Sequence, residues 1–124
     1  MSMSNTSETR NHSLISADRV EGTAVFNDQG EKLGHVEDVM LHKLSGKVAY
    51  AVVSCGGFLG MGEKYLPMPW SLLTYDTEKN GYVIPADRSQ LEAAPAYGAD
   101  EMGDDDADWR ERVHTHYNAP GYWA

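Results

Sequence analysis

Apolar and polar positions alternate over short runs along most of the chain, which is typical of β-strands with one buried face. The three longest runs are Val20 to Asn27, Leu33 to His42 and Val48 to Cys55. Three shorter runs are Tyr65 to Trp70, Leu72 to Asp76 and Tyr82 to Pro85. The Val48 to Cys55 run is apolar at both parities, which predicts a strand covered on both faces. Five to six strands this close together predict a mainly β fold, a small antiparallel barrel or sandwich.

Turn-forming residues separate the predicted strands. Asn27 to Gly30, Leu44 to Lys47 and Lys79 to Gly81 each hold residues that tolerate positive φ. Asn80 followed by Gly81 suits the centre of a type I′ hairpin. These turns predict hairpin connections between neighbouring strands.

Two of the predicted strands depart from regular alternation. In the second, Val36 and Met40 share one parity while Val39 has the other, which predicts either a β-bulge or a cover on both faces. In the fourth, Pro67 and Pro69 lack the N–H that a central strand donates. That part of the chain is therefore expected at a sheet edge or a barrel corner.

The chain divides into three zones by composition. Residues 1–15 are polar and are predicted to be a flexible N-terminal arm, and residues 16–97 hold the strands of the folded domain. Residues 98–124 hold an acidic linker, a short helix and an aromatic tail. The helix is predicted from about Asp106 to Tyr117, because aspartates cap its start and apolar residues recur at helical spacing.

Size and charge narrow the classes of function. The chain has 124 residues, enough for about one domain, and a formal net charge of −9. Residues 100–112 hold seven acids and two bases, so over half of the negative excess lies there. No stretch of the sequence is a basic stripe, which argues against direct electrostatic binding to nucleic acid or to anionic lipid.

Cys55 is the single cysteine, which excludes an intrachain disulfide and Cys-rich zinc sites. It lies in an apolar run without a neighbouring His, so we expect a buried hydrophobe rather than a reactive thiol. The sequence shows neither a signal peptide nor an apolar run long enough to span a bilayer. We therefore expect a cytoplasmic protein.

The glycine-rich segment Gly56 to Gly62 lacks the Lys-Ser/Thr ending of a phosphate-binding loop, so a tight connection between strands is the better interpretation. Its three large apolar residues are Phe58, Leu59 and Met61. Such side chains either fold back to plug the barrel or contact a partner, and the sequence leaves both open.

The sequence shows no recognisable catalytic or metal-binding constellation. The acidic run lacks the spacing of a calcium loop, and no Ser/His/Asp set or paired-carboxylate signature stands out. His35, His42, His114 and His116 form no set with a third ligand in view. We therefore expect a protein that is not an enzyme and holds no metal or cofactor.

Three segments taken together resemble a PRC-barrel domain. They are Gly30 to Leu41, Ser45 to Val53 and Gly56 to Trp70. The resemblance lies in the combination of G-x-V-x-D, the glycine-rich loop and the P-W dipeptide in register, and it covers about residues 16–97. It implies a small β-barrel, shared by the photosynthetic reaction centre H subunit and bacterial ribosome-maturation factors, that acts chiefly as a docking surface for other proteins.

The resemblance also implies roles for individual residues. Gly34 and Asp38 set the bend and hydrogen bonding of the second strand, and Trp70, after Pro69, closes one barrel end. The chain lacks the N-terminal membrane helix of an H subunit and the N-terminal barrel of a maturation factor. We therefore expect a stand-alone bacterial member of the family.

The leading hypothesis is a non-enzymatic interaction module. Its expected contact residues lie in the glycine-rich loop and the tail, and are Phe58, Leu59, Met61, Trp109, Val113, Tyr117, Tyr122 and Trp123. A second copy is the simplest partner, with the tail packed on a neighbouring subunit in a two-fold dimer. The other placement of the tail is on its own barrel. The alternative function is a small-ligand or metal-binding sensor that uses the histidines of the barrel or tail.

Overall fold

A computed structural model describes residues 13–55, 64–97 and 107–119. Its strands are β1 Ala24–Asn27, β2 Lys32–Leu41, β3 Val48–Ser54, β4 Tyr65–Pro69, β5 Thr74–Asp76 and β6 Gly81–Ile84. Its α-helices are α1 Ala17–Val20, α2 Arg88–Glu92 and α3 Ala107–Tyr117, and a 3₁₀ turn spans Trp70–Leu72. The predicted strands and the predicted C-terminal helix are all present.

The six strands form one mixed sheet in the order β4-β3-β2-β1-β6-β5. Four of the pairs are antiparallel, as the hairpin turns predict. The pair between β1 and β6 is parallel, with Ala24 opposite Gly81 and Asn27 opposite Ile84. The fold is therefore mainly β. The sheet is antiparallel except between β1 and β6, the first and last strands of the β-domain, which pair in parallel.

The chain connection between the two edge strands requires the sheet to roll up. Five inter-strand spacings separate β4 from β5 in the sheet order, which is about 24 Å if the sheet were flat. Only residues 70–73 join Pro69 to Thr74, and five Cα steps span at most about 19 Å. No ladder joins β4 to β5 within the described residues, but their ends are drawn together as in a barrel.

One face of the rolled sheet fills its interior. Val53 of β3 lies opposite Val36 of β2 and Leu66 of β4, and all three are fully buried. Val25 of β1 and Ile84 of β6 are also fully buried. Trp70 packs edge-on against Tyr82 with ring centroids 5.4 Å apart, which places it beside the interior as the first residue after β4.

The irregularity of the second strand is a β-bulge, one of the two predicted explanations. The register between β2 and β3 shifts between Val36 and Asp38, so Glu37 is the extra residue. The Asp38 carboxylate accepts the Val39 N–H at 2.9 Å. A side chain thus satisfies a backbone donor at the point where the ladder is disrupted.

The predicted first strand is too long at its start. Ala17 to Val20 form a helical turn, in which the Arg19 and Val20 N–H groups donate to the Ser16 carbonyl. Gly22 follows with φ of +90°, a conformation that an L side chain rarely adopts. The chain therefore reverses before β1 begins at Ala24, although Val20 carries an apolar side chain.

The hairpin between β5 and β6 also differs from the prediction. Four residues, Thr77 to Asn80, connect the strands, so Asn80-Gly81 is not the centre of a two-residue turn. The Asp76 carboxylate accepts the N–H groups of Glu78 and Lys79 and so shapes a wider turn. Asn80 does adopt positive φ, at +52°.

The prolines of β4 lie where the sheet ends, as predicted. Cys55 donates its N–H to the Lys64 carbonyl. Every second residue of β4 counted from Lys64 therefore bonds to β3, and the backbone groups of the residues between them point to the open edge. Pro67 and Pro69 are among the residues whose backbone groups point to the open edge. At the same edge the Tyr65 carbonyl accepts the Tyr97 N–H at 3.1 Å. The ladder between β3 and β4 therefore loses no hydrogen bond to the two prolines. The open edge has no N–H group at these two positions.

Gly34 occupies a position where two strands approach too closely for a side chain. A Cβ built on it would overlap the carbonyl oxygen of Ser54 on β3. We predict that Gly34→Ala lowers the free energy of unfolding by more than about 3 kcal/mol, measured by urea denaturation. Gly46→Asn is the control, because Gly46 has φ of +77° and open space around it, and it should cost less than about 1 kcal/mol. Equal losses in the two variants would contradict the packing explanation.

Candidate functional site

The outer face of β3 and β4 is apolar and is covered. Tyr50, Val52 and Ser54 have the parity opposite to the interior residues of β3, and Pro67 and Pro69 lie opposite Val52 and Tyr50 on β4. All five are buried. Helix α3 packs against β4 and contacts the ring of Tyr50. We call these five residues the outer face, and α3 is its cover, which explains why β3 is apolar at both parities.

A buried hydrogen bond joins α3 to the outer face. The Tyr50 hydroxyl and His114 Nε2 are 2.6 Å apart, and His114 Nδ1 lies 3.2 Å from the Ala119 carbonyl oxygen. A carbonyl only accepts, so we assign the proton to Nδ1, and Nε2 of the neutral ring accepts from the Tyr50 hydroxyl. His114 therefore has a partner at both ring nitrogens, one on the barrel and one on the chain after α3.

Three of the predicted contact residues lie on the covered side of α3. Trp109, Val113 and Tyr117 follow at four-residue spacing, and each is at most 7% exposed. The Trp109 ring packs edge-on against Tyr50 with centroids 5.1 Å apart. Within the single chain the tail helix covers its own barrel, which is the second of the two placements that the sequence left open.

Helix α3 ends in a Schellman motif. Asn118 has φ of +52°, its N–H donates to the Thr115 carbonyl, and the Ala119 N–H donates to the His114 carbonyl. Asn tolerates this left-handed conformation better than most residues. The motif satisfies two of the last carbonyls of the helix and turns the chain back toward His114, whose ring bonds Ala119.

The remaining predicted contact residues lie outside the described residues. They are Phe58, Leu59 and Met61 in the glycine-rich loop and Tyr122 and Trp123 in the tail. The described residues fix only where these segments begin and end, at Cys55, Lys64 and Ala119.

A cluster of titratable groups lies at the end of β3 beside the C-terminal part of α3. Cys55 is fully buried, as predicted, and burial raises the pKa of its thiol to about 11 although the Lys64 ammonium opposes the rise. Burial also raises the pKa of Tyr117, and the proximity of Cys55 adds to the rise. The Tyr117 hydroxyl is buried and finds no hydrogen-bond partner within the part of the chain that the structure describes.

The four histidines of the sensor alternative are separately engaged. His35 lies 3.3 Å from the Glu37 carboxylate, His42 bonds Ser45, and His116 Nε2 donates to the Gln90 carbonyl at 2.7 Å. His114 bonds Tyr50 as described. Over residues 13–55, 64–97 and 107–119 no group of three or more His, Cys, Asp or Glu side chains is arranged to hold a metal ion.

Sequence reasoning missed an exposed apolar patch on the turn between β2 and β3. Leu41 is 57% exposed and Leu44 is 93% exposed, although each has the residue type of a core position. Lys43 and Lys47 are exposed beside them, on a chain whose net charge is −9. We call these four residues the hairpin tip. The signal was present in the sequence, since a leucine inside a turn cannot be buried by strand alternation.

The short helix α2 was also missed. The Asp87 side chain accepts the Gln90 N–H at 2.8 Å and so caps the helix at its start. Leu91 is buried from this helix, and Gln90 Nε2 donates to the His116 carbonyl of α3. Helix α2 thereby connects the barrel to the C-terminal part of α3.

Membrane spanning was tested on the helices. None of those in residues 13–55, 64–97 and 107–119 combines the length and the apolar character that crossing a bilayer requires.

Comparison with protein families gives a match over most of the β-domain. The model of the PRC-barrel domain matches residues 12–91, nearly two thirds of the chain. Its matched residues include all six strands and most of α2, and they end before α3 begins. The comparison with curated proteins gives no match.

Removal of the hydroxyl group from Tyr50 and from Tyr117 should change the free energy of unfolding in opposite directions. We predict that Tyr50→Phe lowers the free energy of unfolding by about 1–2 kcal/mol, because His114 loses a buried partner. Tyr117→Phe should raise it by about 1 kcal/mol, because it removes a buried hydroxyl that finds no partner among the described residues. Chemical denaturation of both variants beside the unaltered protein measures the difference. A loss of similar size in both would contradict the assigned hydrogen bonding.

The Cys55 thiol predicts a loss of stability in alkali. Its pKa is raised from 9.0 to about 11 in the folded chain, so between these pH values the unfolded state has released a proton that the folded state retains. Stability must therefore fall as pH rises from 9 to 11. Cys55→Ala should show a shallower fall over this interval, measured by urea unfolding at each pH, and an identical slope would remove the thiol as the cause.

Proposed function

This chain belongs to the PRC-barrel domain family, and on that premise we propose that it is a non-enzymatic docking module that presents side chains to a partner protein. The family resemblance implies docking as the chief role of the domain. The observation that carries the proposal for this chain is the hairpin tip, where Leu41 and Leu44 are exposed at the end of the longest hairpin of the sheet.

The chemistry of the hairpin tip suits a protein partner of complementary character. Two exposed leucines offer apolar area, and Lys43 and Lys47 beside them are positive on a negatively charged chain. A partner with an apolar pocket and an acidic rim would bury the leucines and pair with the lysines. The proposal also includes Phe58, Leu59 and Met61 of the glycine-rich loop and Tyr122 and Trp123 of the tail.

The blunted edges of the sheet favour docking by side chains over docking by strand addition. The open edge of β4 carries two prolines, and its Tyr65 carbonyl is already bonded to Tyr97. Strand β5, at the other edge, is only three residues long. Strand addition needs an extended row of free backbone groups, which neither edge supplies.

The hairpin tip can be tested by binding. We predict that Leu41→Ser combined with Leu44→Ser reduces the recovery of partner proteins from extracts of the source cells at least tenfold relative to the unaltered bait. The thermal midpoint should stay nearly unchanged, because both side chains are exposed. Quantitative mass spectrometry of the recovered proteins, with far-UV circular dichroism of each bait, measures both.

Two further baits make the result specific. Lys43→Ser changes an exposed residue of the same turn and should have a smaller effect than the leucine pair. Phe58→Ala combined with Leu59→Ala tests the glycine-rich loop in the same assay. Equal recovery by the unaltered and the leucine-substituted baits would show that the hairpin tip is not the docking surface.

A further inference from the structure

An open groove of about 730 Å³ runs along strand β5. Its apolar lining includes Leu72, Tyr75 and Pro85, and Tyr75 is 41% exposed. The Tyr75 ring packs edge-on against the buried ring of Tyr82 with centroids 5.2 Å apart, which holds it in the wall of the groove. The volume lies in the range of about 300–1,000 Å³ that is typical of ligand pockets. The groove therefore has room for several side chains of another molecule.

The rim of this groove is acidic. It carries Asp28 from the turn after β1, Asp76 at the end of β5 and Glu78 from the turn that follows. Asp28 and Glu78 are exposed, whereas the Asp76 carboxylate accepts two N–H groups of its own turn. Among the described residues no Lys, Arg or His lines the groove. We call these three acids and the three apolar residues above the β5 groove, which suits a ligand that is apolar at its centre and positive around it.

The hairpin tip projects from the sheet and has this chemistry. Leu41 pairs with Val48 of β3, whereas the pairing of β2 with β1 ends at His35 and that of β3 with β4 ends at Tyr50. The tip therefore extends beyond both neighbouring strands. Its two leucines are exposed beside two exposed lysines, so its apolar and positive groups match the apolar lining and the acidic rim of the β5 groove.

The hairpin tip of one chain cannot enter the β5 groove of the same chain. Strand pairing places Asp76, at one end of the groove, at the level of His35 on β2. Leu41 is six residues further along β2, which is about 20 Å in a regular strand. The other end of the groove, beside Asp28, is farther still, because β1 runs away from the tip. Only a tip from another molecule can therefore occupy the groove.

We infer that the partner of the hairpin tip is a second copy of this chain, whose β5 groove receives the tip. This inference rests on the proposed docking function and names its partner. The two leucines lie against the apolar lining, and the two lysines face the exposed carboxylates of Asp28 and Glu78. The net charge of −9 on each copy is screened beyond about 8 Å at physiological ionic strength, so the local charges of tip and groove determine the contact.

The contact joins two different surfaces and is therefore heterologous. One such contact uses the tip of one copy and the groove of the other, and leaves one tip and one groove free. A four-residue tip buries a small area, and interfaces below about 1,200 Å² are typical of transient association. We therefore expect self-association that appears as the concentration of the chain rises.

Two variants that each lack one surface test the contact. The tip variant carries Leu41→Ser with Leu44→Ser, and the groove variant carries Asp28→Lys with Glu78→Lys, all at exposed positions. In sedimentation equilibrium up to millimolar concentration the unaltered chain should rise from 13.7 kDa to at least twice that mass. Each variant alone should associate about tenfold more weakly or less. An equimolar mixture should form mixed pairs and stop there, because it keeps one unaltered tip and one unaltered groove.

Three results would overturn the inference. They are an unaltered chain that keeps its single-chain mass throughout, variants that associate as strongly as the unaltered chain, and a mixture that forms no mixed pairs. Far-UV circular dichroism of each variant shows that the fold is intact.

A charge exchange within one chain tests the pairing of the lysines with the rim and does not depend on the leucines. Lys43→Glu with Lys47→Glu should weaken self-association about tenfold, and addition of Asp28→Lys with Glu78→Lys to the same chain should restore it. Failure of the second pair of substitutions to restore association would contradict the assigned pairing and overturn the inference.

The matched control replaces the two rim substitutions with Glu21→Lys and Glu111→Lys. Both residues are exposed and lie outside the β5 groove, and their replacement changes the net charge by the same amount. This control should not restore association. Restoration by the control would assign the effect to net charge and overturn the inference.

Failure of this inference differs from failure of the docking function. A chain that never self-associates, together with loss of recovered proteins by the leucine-substituted bait, would exclude a second copy as the partner and leave docking at the hairpin tip standing. Equal recovery by the two baits would instead contradict docking at the tip.

Discussion

The burial of β3 on both faces is the constraint on which the rest of the structure depends. Val53 and its neighbours of the same parity fill the rolled sheet, while Tyr50 and Val52 point away from it. A strand of this composition in a two-layer fold needs a second cover, because leaving the outer face in water would expose a continuous apolar area. Helix α3 supplies that cover, and its His114 imidazole makes a buried hydrogen bond with the Tyr50 hydroxyl.

In this arrangement the surfaces that stabilise the barrel differ from the surface that is exposed to other molecules. The outer face is closed by α3, and the edge of β4 is blunted by Pro67 and Pro69. The hairpin tip at the far end of β2 stays exposed with two leucines and two lysines. Docking at the hairpin tip leaves the cover in place.

Prediction from the sequence succeeded where the chemistry of one residue determines the local structure. Pro67 and Pro69 cannot donate to a ladder, which predicted an edge or a corner without the fold. The mixed parity around Val36 predicted either a bulge or a cover on both faces, and the structure shows the bulge. It failed where contacts between residues far apart in the sequence determine the local structure. Gly81 belongs to β6 rather than to a turn because β6 lies beside Ala24 of β1, and a Cβ there would approach the Ala24 carbonyl oxygen at 2.6 Å. The helical turn before β1 was likewise hidden, since Val20 is apolar in either structure.

The sequence by itself determined the mainly β character, the six strand segments, the tail helix and the resemblance to the family, because these follow from periodicity and turn chemistry over short distances. Tertiary structure alone decided that β1 pairs with β6 in parallel, that the tail helix covers the outer face and that His114 meets Tyr50 across 64 residues. Such contacts depend on how the sheet rolls. The rolling is imposed by the short connection between β4 and β5, whose effect appears only when all six strands are in place.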